Sequence, residues 1–249
     1  MKAIFVAIIL SVVGLGRAVA ADVDLPAPLP PHAPANYYPA TAPLNWGGVY
    51  FGINGGYGFG TSNWTNPNIG GLTGGFGTNG FLLGGTAGLN YAIGSGFVFG
   101  FEGDIDWSKL SGSSSIAACA GVQLQFAGVA CSTKSNWLST ARVRAGYAFD
   151  RILIFATAGG AIGDLQVALT PATGFIGGAA QFGWTAGGGI EYAFADNVTA
   201  KVEYLYVNLG TASCVTNNCG AFVGVANSGA TVSLTENLVR AGVNYKFSW

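Results

Sequence analysis

The chain has 249 residues, of which only 8% are charged and 50% hydrophobic, with 41 glycines and a formal net charge of −1. An ordinary soluble domain carries about a quarter charged residues. This chain lacks the charge to cover a water-facing surface of its size, and with no basic excess it is not suited to a nucleic-acid partner.

The N-terminus combines Lys2, an apolar run from Ala3 to Leu15 and the small-residue site Ala18-Val19-Ala20. That pattern reads as a secretory signal over residues 1–20, cleaved before Ala21. The run is too short to cross a bilayer as a helix, and no later stretch reaches the roughly 20 apolar residues needed. Membrane residence must therefore use strands. Residues 21–45 follow as a linker with prolines at 26, 28, 30, 31, 34, 39 and 43. Proline fixes φ and donates no backbone hydrogen bond, so this segment reads as an extended periplasmic spacer.

From Trp46 onward the sequence alternates with the period of two expected of strands. The first strand, near Trp46 to Phe59, places Phe51, Ile53, Tyr57 and Phe59 on one parity and Tyr50, Gly52, Asn54 and Gly56 on the other. The second runs from Phe81 to Tyr91, and Gly94-Ser-Gly96 turns the chain. In the third, Phe97, Phe99, Phe101, Ile105 and Trp107 alternate with Glu102, Asp104 and Asp106. The fourth, Trp137 to Phe149, sets Val143 and Tyr147 against Arg142 and Arg144. Asp150-Arg151 makes the next turn. The fifth, about Ile152 to Ile162, is apolar on both parities and leaves its faces unassigned. The sixth opposes Phe182, Trp184, Ile190 and Tyr192 to Thr185 and Glu191. It ends at Asp196-Asn197, and the seventh opposes Val202 and Tyr204 to Lys201 and Glu203. The eighth, Leu238 to Trp249, alternates Val239, Ala241, Val243, Tyr245, Phe247 and Trp249 with Arg240, Gly242, Asn244 and Lys246.

Ten strand charges test this scheme: Glu102, Asp104, Asp106, Arg142, Arg144, Glu191, Lys201, Glu203, Arg240 and Lys246. Each falls on the parity opposite its strand's aromatics. On a lipid face an Arg or Lys at the midplane costs about 2–4 kcal/mol, so the segregation has a physical cause. The ten read as a neutralised network inside a closed sheet, with Arg142 and Arg144 pairing the three acids of the third strand. Connections alternate too. Turns of a few residues follow the second, fourth and sixth strands, and long Gly, Ser and Asn-rich segments lie near 60–78, 108–135, 163–180 and 210–232. That rhythm belongs to an eight-stranded antiparallel up-and-down transmembrane β-barrel over residues 46–249, exported through the periplasm into the outer membrane.

The remaining chemistry-bearing residues favour structural roles. Cys119, Cys131, Cys214 and Cys219 fall in the second and fourth long segments, and an oxidising periplasm favours disulfides. Those loops lie on opposite sides of such a barrel, so the pairs 119–131 and 214–219 are preferred. No histidine lies near them and the spacing fits no zinc pattern. The acids at 102, 104 and 106 lack the glycine and glutamate positions of a calcium loop, and the glycines from 52 to 60 precede no phosphate-binding signature. The sole histidine, His32, lies in the linker, so no Ser-His pair is available inside the barrel. No catalytic residue, cofactor or metal site is expected.

Several stretches in this order resemble a known group. They are Trp46-Gly-Gly-Val-Tyr50-Phe-Gly52, Gly100-Phe-Glu102-Gly-Asp104, Arg142-Val-Arg144-Ala-Gly-Tyr147, Gly183-Trp-Thr-Ala-Gly187, Glu191-Tyr192, Lys201-Val-Glu203-Tyr204 and Val239-Arg-Ala-Gly-Val-Asn-Tyr-Lys-Phe247. From Trp46 to the end the chain is similar to the small outer-membrane β-barrel proteins of alphaproteobacteria, the porin-family or outer-membrane immunogenic group. The resemblance implies insertion by the barrel-assembly machinery, with periplasmic chaperones during biogenesis and outer-membrane lipid around the finished barrel. It also implies a role in envelope integrity and surface exposure. Family chains stop at the residue matching Phe247, whereas this one adds Ser248 and Trp249, so Tyr245, Phe247 and Trp249 are all candidates for the assembly signal.

The reading that follows is a structural barrel with a filled lumen, since eight strands leave room for little but side chains. The alternatives are a narrow diffusion channel and an adhesin or receptor acting through the external loops. The oligomeric state is open. Face assignment predicts that Val243→Arg impairs insertion and that Asn244→Arg is milder.

Overall fold

Alternating side chains commit a strand to two environments, and a closed sheet lets both be satisfied with no unpaired edge. The computed structural model describes residues 44–65, 74–94, 96–114, 130–170, 174–213 and 231–247. Its strands are β1 (Gly48–Thr65), β2 (Gly74–Ile93), β3 (Phe97–Ser114), β4 (Ala130–Phe149), β5 (Ile152–Thr170), β6 (Gly174–Ala195), β7 (Val198–Ser213) and β8 (Thr231–Phe247). They form a closed antiparallel barrel in sequence order. Closure is made by β1 against β8, from Val49 opposite Phe247 to Thr65 opposite Thr231.

The outer surface is a band of large apolar side chains. Phe51, Ile53, Phe81, Leu83, Phe101, Ile105, Phe182 and Val243 are each exposed. Aromatic residues gather towards the short-turn rim, where Tyr147 meets Phe97 and Phe149 at ring separations of 5.1 and 4.7 Å and Tyr245 meets Phe247 at 4.9 Å. Such girdles mark the membrane interfaces of outer-membrane barrels. The three tight turns share this rim. Gly94 and Gly96 have positive φ in the first, and Asp150 takes φ 53° in the second; short connections of this kind face the periplasm.

The strands run further than hydrophobic alternation suggested. They are 16–22 residues long, whereas about 9–11 cross the membrane, so the sheet continues past the apolar band on the loop side. Much of the expected long segments is therefore strand, and residues 171–173 alone separate β5 from β6. Composition misleads here because a ladder outside lipid needs backbone pairing but no apolar face. Cys131, expected in a loop, lies on β4 opposite Ser114. Residues 1–43, Cys119, Cys214, Cys219 and Trp249 lie outside the described residues.

The structure also decides the faces of β5. Ile152, Ile154, Ala156, Ala158 and Gly160 face outward, while Leu153, Phe155, Thr157 and Ala161 face the lumen. Both parities are apolar because the inner one lies largely in two apolar layers that close the barrel.

Candidate functional site

The lumen is filled in three layers. At the short-turn end Trp46, Val98, Leu153, Phe155 and Ala193 form an apolar cluster, with Leu44 and Ala148 packed against it. The Trp46 indole N–H donates to the Asp150 carbonyl at 3.0 Å, tying the entry of the barrel to the β4–β5 turn. Lys246 donates to the Asn45 carbonyl and lies 5.8 Å from the Trp46 ring centre. These contacts join the start of the barrel to the short-turn rim.

Above that plug the structure brings nine of the ten charges into one buried cluster. Arg142 on β4 reaches Glu102 and Asp104 on β3, both at 2.6 Å, and Glu203 on β7 at 3.0 Å. Arg240 on β8 reaches Asp104 at 3.0 Å, Glu203 at 2.9 Å and also Asp106. Lys201 on β7 meets Glu102 at 2.7 Å, and Arg144 meets Glu191 on β6 at 2.7 Å. Lys246, the tenth, is held at the periplasmic plug. The pairings extend beyond the expected β3–β4 set: Asp106 turns to Arg240, and Arg144 keeps Glu102 at 3.5 Å but meets Glu191 more closely. Register explains part of this, since Glu102 lies directly opposite Arg142 but Gly100 lies opposite Arg144. The rest follows from the narrow lumen, across which a guanidinium reaches non-adjacent strands.

Polar side chains complete the layer. Tyr50 donates its hydroxyl to Glu102 at 2.7 Å and accepts from Arg144 at 3.0 Å. Thr140 donates to Asp104 at 2.8 Å, and Thr199 and Asn244 donate to Glu191 at 2.5 and 3.1 Å. The Arg144 guanidinium also stacks over Phe155, 4.1 Å from the ring centre. Tyr50 was legible as an inward residue but not as a member of the network. The missed signal is Gly88, directly across the ladder, where a Cβ would sit 2.2 Å from the tyrosine ring. Burying ions is costly, and each must be matched by partners with good geometry. Here bases on β4, β7 and β8 meet acids on β3, β6 and β7, both on neighbouring strands and across the lumen, so the layer is a cross-brace.

The third layer is apolar again. Trp64, Leu82, Leu138, Leu165, Leu205, Val207, Leu209, Leu234 and Leu238 pack together towards the loop end. Trp64 donates to Thr133 at 3.0 Å. Glu236 is fully buried on this side, and among the described residues neither carboxylate oxygen has a hydrogen-bond partner. Sequence reasoning began the last strand at Leu238 and so left Glu236 out of the network. An unsatisfied buried polar group costs about 1–3 kcal/mol in protein mutational data. Glu236→Leu is expected to raise stability by about that much, read as a higher urea midpoint for loss of the folded gel band.

Of the candidate assembly residues, Tyr245 and Phe247 are exposed at the end of β8, where Phe247 meets Phe51 of β1 at 6.2 Å.

Comparison with known proteins agrees with the fold. The family model for the outer membrane protein beta-barrel domain matches residues 34–247. The chain is similar to the 31 kDa outer-membrane immunogenic protein of Brucella melitensis, at 34% identity over 92% of this chain and 93% of that protein. It is also similar to the 22 kDa outer membrane protein of Rhizobium leguminosarum bv. viciae, at 29% identity over 82% of this chain and 79% of that one. Among solved structures, the outer membrane protein OprG from Pseudomonas aeruginosa has 13% identity and a TM-score of 0.46, covering 82% of this chain and 98% of that chain. With an aromatic-rimmed apolar exterior, a closed antiparallel sheet and this family match, the chain belongs to the outer membrane protein beta-barrel family and is an integral protein of the bacterial outer membrane.

Proposed function

We propose that the protein is a structural barrel of the outer membrane, serving envelope integrity and surface exposure, and that it neither conducts nor catalyses. The observation carrying this reading is the cross-braced ionic layer held between two apolar layers. Arg142 and Arg240 each contact strands across the lumen, and their side chains are fully buried. Opening a water path would break several buried pairs at once. The same pairing supports the non-catalytic reading, since the central carboxylates are engaged by bases and hydroxyls.

The test is conductance of the refolded mature chain in a planar bilayer, with heat-shifted gel mobility showing that the barrel has formed. Folded protein is expected to give no unitary steps. Steady steps would overturn the closed lumen in favour of a narrow diffusion channel, with Glu102, Asp104, Arg142 and Arg144 lining it.

A further inference from the structure

We propose that the ionic layer holds a buried proton, carried on the Asp106 carboxyl and directed at the side-chain carbonyl of Asn54. Charge balance and contact geometry single out the same group.

The layer contains five acids, Glu102, Asp104, Asp106, Glu191 and Glu203, against four bases, Arg142, Arg144, Lys201 and Arg240. Lys246 does not make up the difference, because its ammonium is bound to the Asn45 carbonyl at the short-turn end. One acid is left over, and the partners identify it. Glu102 meets Arg142, Arg144 and Lys201, and Glu203 meets Arg142, Lys201 and Arg240. Asp104 has both Arg142 and Arg240 and also accepts from Thr140. Glu191 has Arg144 on one oxygen and the donors Thr199 and Asn244 on the other. Asp106 has Arg240 alone, on one oxygen, and shares that base with Asp104 and Glu203.

The second oxygen of Asp106, Oδ1, has no hydrogen-bond partner among the described residues, and the residue is fully buried. A buried carboxylate that lacks a counter-charge takes up a proton rather than stay ionised. In register, Gly84 of β2 separates Asp106 on β3 from Asn54 on β1. A Cβ at Gly84 would collide with Asp106 Oδ1, so the glycine lets the carboxyl lean across β2 on the side of Asn54. The Asn54 amide donates to Thr86 at 3.0 Å, and its Oδ1 is a second buried acceptor that lacks a donor among the described residues. One proton answers both needs. An O–H on Asp106 supplies the donor for Asn54, while the other Asp106 oxygen still accepts from Arg240.

The charged groups facing Asp106 are Arg240 on β8 and Asp104 two positions along β3, with Glu203 on β7 drawing on the same Arg240. On β4 its opposite residue is Leu138, and Asn54, Gly84 and Thr86 on β1 and β2 carry no charge. With the proton in place the nine groups sum to zero, and the cross-brace is complete without an ion from outside. The assignment rests on the closed lumen proposed above, since water along the axis would solvate Asp106 as an ion.

The experiment is infrared spectroscopy of the folded mature chain in neutral detergent at neutral pH, with a heavy-carbon label in its aspartate carboxyls. Wild type is expected to show the carbonyl stretch of a protonated carboxylic acid, and the label should shift it, which separates aspartate from the buried Glu236. This part needs no variant to fold. Asp106→Asn should lose the band while its urea midpoint stays at the wild-type value, because the amide can donate to Asn54 and accept from Arg240. Folded wild type that gives no unitary steps and no aspartate acid band would overturn the proton site alone. A band that survives Asp106→Asn would overturn it too. A band present in choline chloride but absent in sodium chloride would replace the proton with a sodium ion. A missing band together with unitary steps would overturn the closed lumen as well.

Discussion

Arg240→Ala is expected to destabilise the barrel by about 3–5 kcal/mol, the cost of breaking one side of a buried ion pair. The change removes contacts to Asp104, Glu203 and Asp106 together, and Arg240 is the one ion-pair partner of Asp106 among the described residues. All three carboxylates are buried, so water does not replace the guanidinium. The measurement is the urea midpoint for conversion of the fast-migrating folded band. Asp106→Asn is expected to cost less, because it leaves no other charge unpaired and Arg240 keeps two acids. A midpoint unchanged in Arg240→Ala would mean that the network carries no stability. Contacts this close couple strongly, so the effects of Arg240 and Arg142 variants should not add.

Val243→Arg is expected to cost about 2–4 kcal/mol, the penalty for a base at the bilayer midplane. Val243 is 49% exposed at the centre of the outward run from Val239 to Phe247. Asn244→Arg, expected from alternation alone to be the milder of the two, meets a packed lumen. Asn244 is buried, donates to Glu191, and fills the space that a Cβ on Gly52 would enter. Overpacking of this kind costs about 1–3 kcal/mol, partly offset by a new base beside Glu191. The two variants should differ in what rescues them. A thinner bilayer relieves Val243→Arg, whereas Gln in place of Arg at 244 relieves only the lumen variant. Equal yields of membrane-inserted, heat-modifiable protein for both variants in thick and thin bilayers would remove the distinction between the faces.

The face of each charged strand was readable in the sequence, because alternation is local. Phe99, Phe101 and Ile105 against Glu102, Asp104 and Asp106 admit one orientation in lipid, and the five acids and five bases on the inner parity imply pairing. The ends of the strands were not readable, since beyond the membrane Gly, Ser, Thr and Asn satisfy a ladder as well as a loop. Glu236 and Cys131 were misplaced for that reason. The tight turns at Gly94, Asp150 and Asp196 were visible because each combines a turn-forming residue with a break in alternation.

By itself, then, the sequence determined the membrane class, the number of strands and which residues of the charged strands face inward, all consequences of a two-residue period acting under the cost of charge in lipid. The tertiary structure alone decided the faces of β5, the contacts of Arg240 with Asp106 and of Arg144 with Glu191, and the apolar layers above and below. Those features depend on barrel closure and narrowness, which set residues from distant strands against one another across the lumen, a distance that no pattern along a single strand encodes.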